Sequence, residues 1–264
     1  MDTRPIGVFD SGIGGVTVLK EIRKLLPKEN IVYYADTARV PYGPRPASEI
    51  QEFSLDAVNF LMKKDIKLLV IACNTVTAVA FDYIVRNVDI PVIGVIEPGV
   101  RAVRNTKDIK RLGLIATKAT VDSNAYQNRL KSQNNDLIIN AKACPMLVSI
   151  VEEGWADTEI SKLIVERYLE NMKKDNIDAL ILACTHFPVL RNQIEEYVED
   201  VRIIDPAEET ALELEKVLKA YNILNESEAD GEVEFYVSDS AEKFKSIAKN
   251  LVEIDRVDEV EIGY

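Results

Sequence analysis

The chain has 264 residues, of which 47% are hydrophobic and 29% charged, a composition typical of a globular protein with one large or two modest cores. Its formal net charge of −12 argues against nucleic acid and against an anionic membrane as main partners. No apolar run approaches the roughly 20 residues that span a bilayer, and residues 1–5 lack the apolar core of a signal peptide, which favours a cytoplasmic protein.

Short apolar runs alternate with amphipathic stretches along the chain. Nine runs are predicted as strands, at residues 6–10, 31–36, 68–73, 92–96, 112–117, 137–143, 180–184, 201–205 and 232–237. Helices are predicted between most of them, and one begins at a Ser-Glu-Ile-Gln capping-box pattern at residues 48–51 and runs to about Lys64. Because the runs are mostly apolar without strict alternation, they predict an α/β fold whose largely parallel sheets are covered by helices.

Two segments of the chain resemble each other. Residues 65–73 and 176–184 share the pattern Ile-x-x-Leu-x-x-Ala-Cys, and polar residues and a predicted helix follow each cysteine. A weaker correspondence relates residues 7–11 to residues 113–117. Any two strand–helix units look somewhat alike, but the shared spacing favours a duplication. We therefore expect two similar domains with mostly parallel sheets, related by a pseudo-twofold axis and facing each other across a cleft.

Domain boundaries are weakly marked, because the sequence contains no Pro-rich or Gly-rich linker. The best crossover points are the similar segments 97–99, Glu-Pro-Gly, and 205–207, Asp-Pro-Ala. They predict a discontinuous first domain, residues 1–97 plus 207–264, and a second domain, residues 98–206.

An odd number of cysteines, three, indicates free thiols rather than a disulfide framework. Cys73 and Cys184 end the two matched strands, at the sheet edge where open α/β sheets bind ligands. A lone cysteine there is usually a small buried hydrophobic residue. Two cysteines in matched polar contexts favour a function instead. Cys144 has no counterpart and is interpreted as structural.

A glycine-rich segment at residues 10–15, Asp-Ser-Gly-Ile-Gly-Gly, follows the first predicted strand and begins a helix. It fits neither the P-loop nor the Gly-x-Gly-x-x-Gly pattern, and a tight turn is its simplest interpretation. Backbone N–H groups at such a helix start can also hold a small carboxylate. Asp10, at the strand tip, is expected to face the same crevice.

Other candidate residues carry weaker signals. Tyr42 and Gly43 lie in a proline-rich loop and can supply a wall and a backbone donor to a ligand. His186, the single histidine, lies two residues after Cys184 and is a candidate proton-handling group. The two adjacent glutamates in residues 151–154 are most simply interpreted as solvated surface charge.

Three other chemistries fit the same residues poorly. Cys184 and His186 lack the spacing of common zinc sites, and no second Cys/His pair exists. A cysteine hydrolase built on that pair leaves Cys73 without a role, and such pairs usually come from distant parts of the chain. A thiol-redox protein is disfavoured because the sequence contains no Cys-x-x-Cys. No metal and no cofactor are expected.

Four segments, in this order along the chain, carry a family resemblance: residues 10–19 (DSGIGGVTVL), 42–43 (Tyr-Gly), 73–75 (Cys-Asn-Thr) and 184–186 (Cys-Thr-His). Together they resemble the glutamate racemases of the aspartate/glutamate racemase superfamily. The resemblance implies two α/β domains with the active site between them and no cofactor. It also implies interconversion of L- and D-glutamate, which supplies D-glutamate for peptidoglycan synthesis.

The resemblance also implies roles for individual residues. Cys73 and Cys184 transfer protons, and Asp10 and His186 assist them. Glu152 fits a further family carboxylate in a Val-Glu-x-Gly context, although the adjacent Glu153 leaves the register open. The residues implied to bind substrate are Asp10, Ser11, Tyr42, Gly43, Asn74, Thr75, Thr117, Thr120, Thr185 and His186.

Two thiols suit this chemistry in physical terms. Inverting an α-carbon requires removal of a proton from one face and delivery of a proton to the other, so one thiolate and one thiol are needed. A thiol has a reference pKa of about 8.5, close enough to neutral for acid/base work.

The nearest alternative is a racemase of the same superfamily that acts on aspartate or hydantoins. A non-catalytic amino-acid-binding protein is the alternative from another class. The sequence leaves the oligomeric state open, with a homodimer as one candidate.

Overall fold

The computed structural model describes residues 2–262 of the chain. Met1, Gly263 and Tyr264, which belong to the predicted first domain, lie outside the described residues. The strands are β1 (Ile6–Asp10), β2 (Ile31–Ala35), β3 (Leu68–Ile71), β4 (Val92–Gly94), β5 (Arg111–Ala116), β6 (Ile138–Ala143), β7 (Ala179–Ala183), β8 (Arg202–Ile204), β9 (Val233–Val237) and β10 (Val257–Glu259).

Helices connect most of these strands. They are α1 (Val16–Leu25), α2 (Ala47–Met62), α3 (Asn74–Val79), α4 (Phe81–Val85), α5 (Ile96–Asn105), α6 (Lys118–Asp122), α7 (Ala125–Gln133), α8 (Pro145–Glu152), α9 (Glu159–Lys174), α10 (Arg191–Val198), α11 (Pro206–Ala220) and α12 (Ala241–Ala248). A short 3₁₀ helix covers Phe187–Leu190. Within residues 2–262, no helix is both long and apolar enough to cross a membrane.

The strands form two sheets, and every strand pairing in the described part of the chain is parallel. The first sheet has the order β10-β9-β2-β1-β3-β4, and the second has the order β6-β5-β7-β8. The predicted α/β class with largely parallel sheets is therefore confirmed. Burial explains the lack of alternation in the sequence, since all residues of β1, β2, β3 and β7 are buried.

The two sheets repeat one arrangement, because β2-β1-β3-β4 and β6-β5-β7-β8 follow the same order. Gly7 pairs with Leu69 in the first sheet, as Gly113 pairs with Leu180 in the second. A Cβ added at Gly7 would lie 2.6 Å from Ile66 Cδ1. A Cβ added at Gly113 would lie 2.7 Å from Cδ1 of Ile177, the isoleucine equivalent to Ile66 in the repeat. These matched close approaches support the interpretation as a duplication.

Two local predictions differ from the structure. The capping box at residues 48–51 is wrong, because α2 begins at Ala47 after Pro46 and has no side-chain cap. Ser48 thus lies inside the first turn, where the fixed backbone angle of Pro46 already sets the entry of the chain. The second difference is β10, which the sequence does not predict. Two of its three residues, Asp258 and Glu259, are charged, and the strand is partly exposed because it adds to the sheet edge beside β9.

Candidate active site

The carboxyl ends of strands from both sheets meet at one cavity of about 140 Å³. Segments that follow β1, β2 and β3 line it from the first sheet, and segments that follow β5, β6 and β7 line it from the second. This is the edge at which parallel sheets bind ligands. The lining residues are Ser11, Val40, Pro41, Tyr42, Gly43, Pro44, Cys73, Asn74, Thr75, Thr117, Lys118, Pro145, Met146, Val148, Ser149, Cys184, Thr185 and His186.

Most residues that the sequence proposes as substrate-binding line this cavity, but two do not. Asp10 is fully buried behind the wall, where its Oδ1 accepts a hydrogen bond from Thr185 Oγ1 at 3.2 Å. Thr120 is also fully buried, with its hydroxyl 3.0 Å from Thr117 Oγ1. Both residues are therefore placed to support the lining rather than to touch a ligand.

Cys73 lies just beyond the end of β3, where it precedes the first residue of α3. Its sulfur is 3.4 Å from the hydroxyl oxygen of Ser11. Burial, and then the negative charge of Asp10, raise the pKa of Cys73 to about 12. In the absence of substrate Cys73 is therefore a thiol, which suits it to deliver a proton.

Cys184 lies just beyond β7 and has a different partner. Its sulfur is 3.7 Å from His186 Nδ1, and His186 Nε2 is 2.5 Å from Glu152 Oε1. Burial works against a charged imidazole, but the hydrogen bonds to Cys184 and Glu152 raise the pKa of His186 well above its usual value. The imidazole thus places positive charge 3.7 Å from the sulfur of Cys184.

Glu152 is the carboxylate of this arrangement. Burial opposes its ionisation, but the hydrogen bond and charge of His186 hold the pKa of Glu152 below its usual value. Its Oε1 also accepts a hydrogen bond from the backbone N–H of Ile13 at 3.0 Å. The neighbouring Glu153 is exposed and pairs instead with Lys243, at 2.9 Å. The geometry thus places Glu152, and not Glu153, next to the candidate proton-transfer groups.

The glycine-rich turn differs from its sequence interpretation. Its backbone donors hold carboxylates of the chain itself, since Gly12 N donates to Asp10 Oδ2 at 3.0 Å and Ile13 N donates to Glu152. A Cβ at Gly12 would overlap the Glu152 carboxylate, which explains a glycine at this position. Burial raises the pKa of Asp10 to about 6, although the charge of His186 opposes the shift. Asp10 and Glu152 therefore occupy two of the backbone donors of this turn.

Hydroxyl and amide groups line the rest of the cavity. Thr75 Oγ1 and Thr117 Oγ1, which follow strands of different sheets, are 2.8 Å apart. Asn74 Oδ1 accepts a hydrogen bond from the hydroxyl of Tyr126 at 2.7 Å. Tyr42 lines the wall with its ring, because its hydroxyl donates to the buried Asp36.

Sequence reasoning missed several residues around the cavity. The segment from Pro145 to Ser149 lines it after β6, as the loop around Tyr42 does after β2. Since β2 and β6 occupy equivalent places in the two sheets, the internal repeat contained the signal that predicts the second segment. Lys118, beside Thr117, also lines the cavity, and no sequence pattern predicted it as a site residue.

Cys144 lies apart from the two cysteines of the cavity. Cys144 is buried and does not line the cavity, and its sulfur is 3.7 Å from the carbonyl oxygen of Lys142. All three cysteines are free. Among residues 2–262, no group of three or more His, Cys, Asp and Glu side chains is arranged to hold a metal ion.

Comparison with known proteins places this geometry in a family. Residues 6–214 match the family model described as Asp/Glu/Hydantoin racemase. The glutamate racemase of Neisseria meningitidis serogroup C / serotype 2a is 42% identical over 263 residues, which cover 98% of this chain and 97% of the relative. A second glutamate racemase, from Geobacter metallireducens, is 42% identical over 240 residues, which cover 90% of this chain and 89% of that protein.

Solved structures agree with these relatives. A glutamate racemase isoform from Bacillus anthracis has a TM-score of 0.93 at 40% identity, covering 99% of this chain and 98% of that chain. The glutamate racemase of Francisella tularensis, solved in complex with D-glutamate, has a TM-score of 0.90 at 38% identity, with the same coverage. Since these similarities extend over nearly the whole length, the chain belongs to the Asp/Glu/hydantoin racemase family and, within it, to the glutamate racemases.

Proposed function

We propose that this chain interconverts L- and D-glutamate, with Cys73 and Cys184 as the two acid/base groups. The observation that carries this proposal is that both sulfurs line one cavity from equivalent strand ends of two different sheets. A two-base racemase needs one proton-transfer group on each face of the α-carbon. Equivalent strand ends that face each other supply two such groups without any movement of the substrate.

The starting protonation states follow from the different surroundings of the two thiols. In this scheme Cys184, whose sulfur is 3.7 Å from His186 Nδ1, acts as the base that removes the α-proton from one enantiomer. Cys73, whose pKa is raised to about 12, starts as the thiol and delivers its proton to the opposite face. The family resemblance assigns L-glutamate to Cys184 and D-glutamate to Cys73. After one turnover the sulfurs have exchanged protonation states, so the reverse reaction starts from the thiolate of Cys73.

Supporting groups explain how each sulfur tolerates its charge. The Ser11 hydroxyl, 3.4 Å from Cys73, can donate to the thiolate that forms there. Asp10, with a pKa of about 6, changes charge close to neutral pH and so can offset a charge change at Cys73. On the other side, Glu152 balances the charge of His186.

The weak acidity of the α-proton is the larger chemical difficulty. Buried donors that surround a substrate carboxylate stabilise negative charge as it develops, because little solvent screens them. The cavity offers such donors, and we propose that they bind the two carboxylates of glutamate. They are the side chains of Ser11, Asn74, Thr75 and Thr117 and the backbone of Gly43, with Thr185 and His186 in the wall beside them. This chemistry needs no metal, pyridoxal phosphate or nucleotide, because the two thiols carry both proton transfers.

The experiment that tests the proposal is incubation of the protein with L-glutamate in deuterium oxide, followed by chiral separation and mass measurement. We expect D-glutamate with one α-deuterium, formed without added cofactor and unaffected by a chelator. Binding of glutamate without exchange of its α-hydrogen would show a non-catalytic binding protein. Faster conversion of aspartate in the same assay would show a different substrate within the superfamily.

We also propose the setting in which this reaction occurs. The chain divides into residues 1–97 plus 207–264 and residues 98–206, which the addition of β9 and β10 to the first sheet supports. Three free thiols suit a cytoplasmic enzyme, and its product would serve peptidoglycan synthesis. Limited proteolysis tests the boundaries, and sedimentation analysis tests whether the chain forms a homodimer.

A further inference from the structure

We propose that Tyr126 is a positioning residue, whose hydroxyl fixes the side-chain amide of Asn74 so that the amide NH₂ faces the substrate. This inference rests on the proposed glutamate site. The Tyr126 hydroxyl donates to Asn74 Oδ1 at 2.7 Å. Asn74 lines the cavity, whereas Tyr126 does not.

The contact joins the two halves of the site. Asn74 is the first residue of α3, which follows β3 of the first sheet. Tyr126 lies on α7, in the segment that follows β5 of the second sheet. Tyr126 is 0% exposed and Asn74 is 3% exposed, so water does not compete effectively for the hydrogen bond.

The orientation of the Asn74 amide decides what it can bind. An asparagine offers an acceptor oxygen on one side and a donor NH₂ on the other, and only the donor side suits a carboxylate. Burial, followed by the charges of Asp205 and Cys184, raises the pKa of Tyr126, so the hydroxyl keeps its proton. Because the hydroxyl donates to Oδ1, Nδ2 is left for the substrate.

Gly99 gives an independent reason to assign a role to the Tyr126 hydroxyl. This glycine lies inside α5, where alanine is normally the more stable residue. A Cβ at Gly99 would lie 2.7 Å from the Tyr126 hydroxyl oxygen and 2.9 Å from its Cε1. On another side it would lie 3.2 Å from Pro206 Cγ, in a rigid ring. The absence of a side chain at Gly99 therefore leaves the space that the Tyr126 hydroxyl occupies.

Two variants test the inference in the intact enzyme. Tyr126→Phe removes only the hydroxyl, and Gly99→Ala crowds it without removing it. For each, we expect the KM for both enantiomers to rise by about three- to ten-fold, the usual value of one hydrogen bond, while kcat changes by less than about two-fold. Tyr197→Phe, which removes a hydroxyl on α10 outside the cavity lining, should change neither constant.

A double mutant separates positioning from a purely structural role. In an Asn74→Ala background, Tyr126→Phe should cause no further rise in KM, because the group it positions is gone. The inference is overturned if Tyr126→Phe is folded with an unchanged KM, or if its effect persists in that background. If Tyr126→Phe is too unstable to assay, Gly99→Ala in both backgrounds decides the question by the same criteria. Failure of the wild-type enzyme to racemise glutamate would instead refute the proposed function.

Discussion

The two thiol sites share a backbone arrangement and differ in their chemistry. Cys73 and Cys184 follow strands that occupy equivalent places in the two sheets. Two residues further along, the first site has Thr75 and the second has His186. The first sulfur meets the hydroxyl of Ser11, and the second meets an imidazole. The two sulfurs therefore occupy equivalent places, and only the second has an imidazole two positions further along the chain.

Removal of each thiol in turn should have the largest effect on activity. We expect Cys73→Ala and Cys184→Ala each to lower kcat by about 10²- to 10⁴-fold, the range for a positioned acid or base. Cys144→Ala should retain most of the activity, because that sulfur does not line the cavity. The measurement is the rate of racemisation for each folded variant. Equal losses in all three variants would contradict the assignment of two catalytic sulfurs.

A second test uses the carboxylate on the Cys73 side. The pKa of Asp10 is about 6 in the folded protein, above the reference value of 3.8, so folding binds a proton between these values. Its stabilising contribution is therefore complete below about pH 3.8 and is lost as the pH rises through 6. Relative to Asp10→Asn, the free energy of unfolding of the wild type should fall by about 2 kcal/mol from pH 4 to pH 7.

Urea unfolding at a series of pH values provides the measurement. The exposed Asp89→Asn variant is the control for the removal of one carboxyl group from the surface. A flat difference for Asp10→Asn would mean that this carboxyl group titrates alike in the folded and unfolded chains.

The Cys184 side is tested by neutralising its carboxylate. Glu152→Gln removes a negative charge that raises the pKa of His186, so that pKa should fall. We expect kcat/KM to fall by about ten-fold in both directions, and the alkaline limb of the pH profile to move to lower pH. Glu153→Gln should match the wild type, because Glu153 is exposed and pairs with Lys243. An identical profile for both variants would remove Glu152 from the proposed relay.

The smallest expected effect tests which sulfur serves which enantiomer. Because free L- and D-glutamate have equal energy, kcat/KM must stay equal in both directions in every variant. Serine is a poorer base than cysteine, so Cys73→Ser should show its larger α-deuterium isotope effect from D-glutamate. Cys184→Ser should show its larger effect from L-glutamate. The two-base scheme fails if both variants favour the same enantiomer, or if the wild type passes deuterium from substrate to product.

The fold and the two sulfurs were largely predictable from local patterns. Apolar runs mark buried parallel strands, and the repeated Ala-Cys ending marks Cys73 and Cys184. What the sequence could not give depends on contacts between distant segments. Tyr126 and Asn74 are 52 residues apart, and no local pattern links them. The interpretation of the glycine-rich turn considered only the backbone N–H groups within the turn. The Glu152 carboxylate that accepts a hydrogen bond from Ile13 lies 139 residues further along the chain.

The hydrogen bonds that join the two halves of the site have a consequence for its motion. Thr75 bonds to Thr117 at 2.8 Å, and Thr185 bonds to Asp10 at 3.2 Å, in each case between segments that follow different sheets. Both bonds therefore join one half of the site to the other. Any motion that separates the halves must break them, and such openings in enzymes take microseconds to milliseconds. The strength of these two hydrogen bonds is therefore one factor that decides how often the site opens.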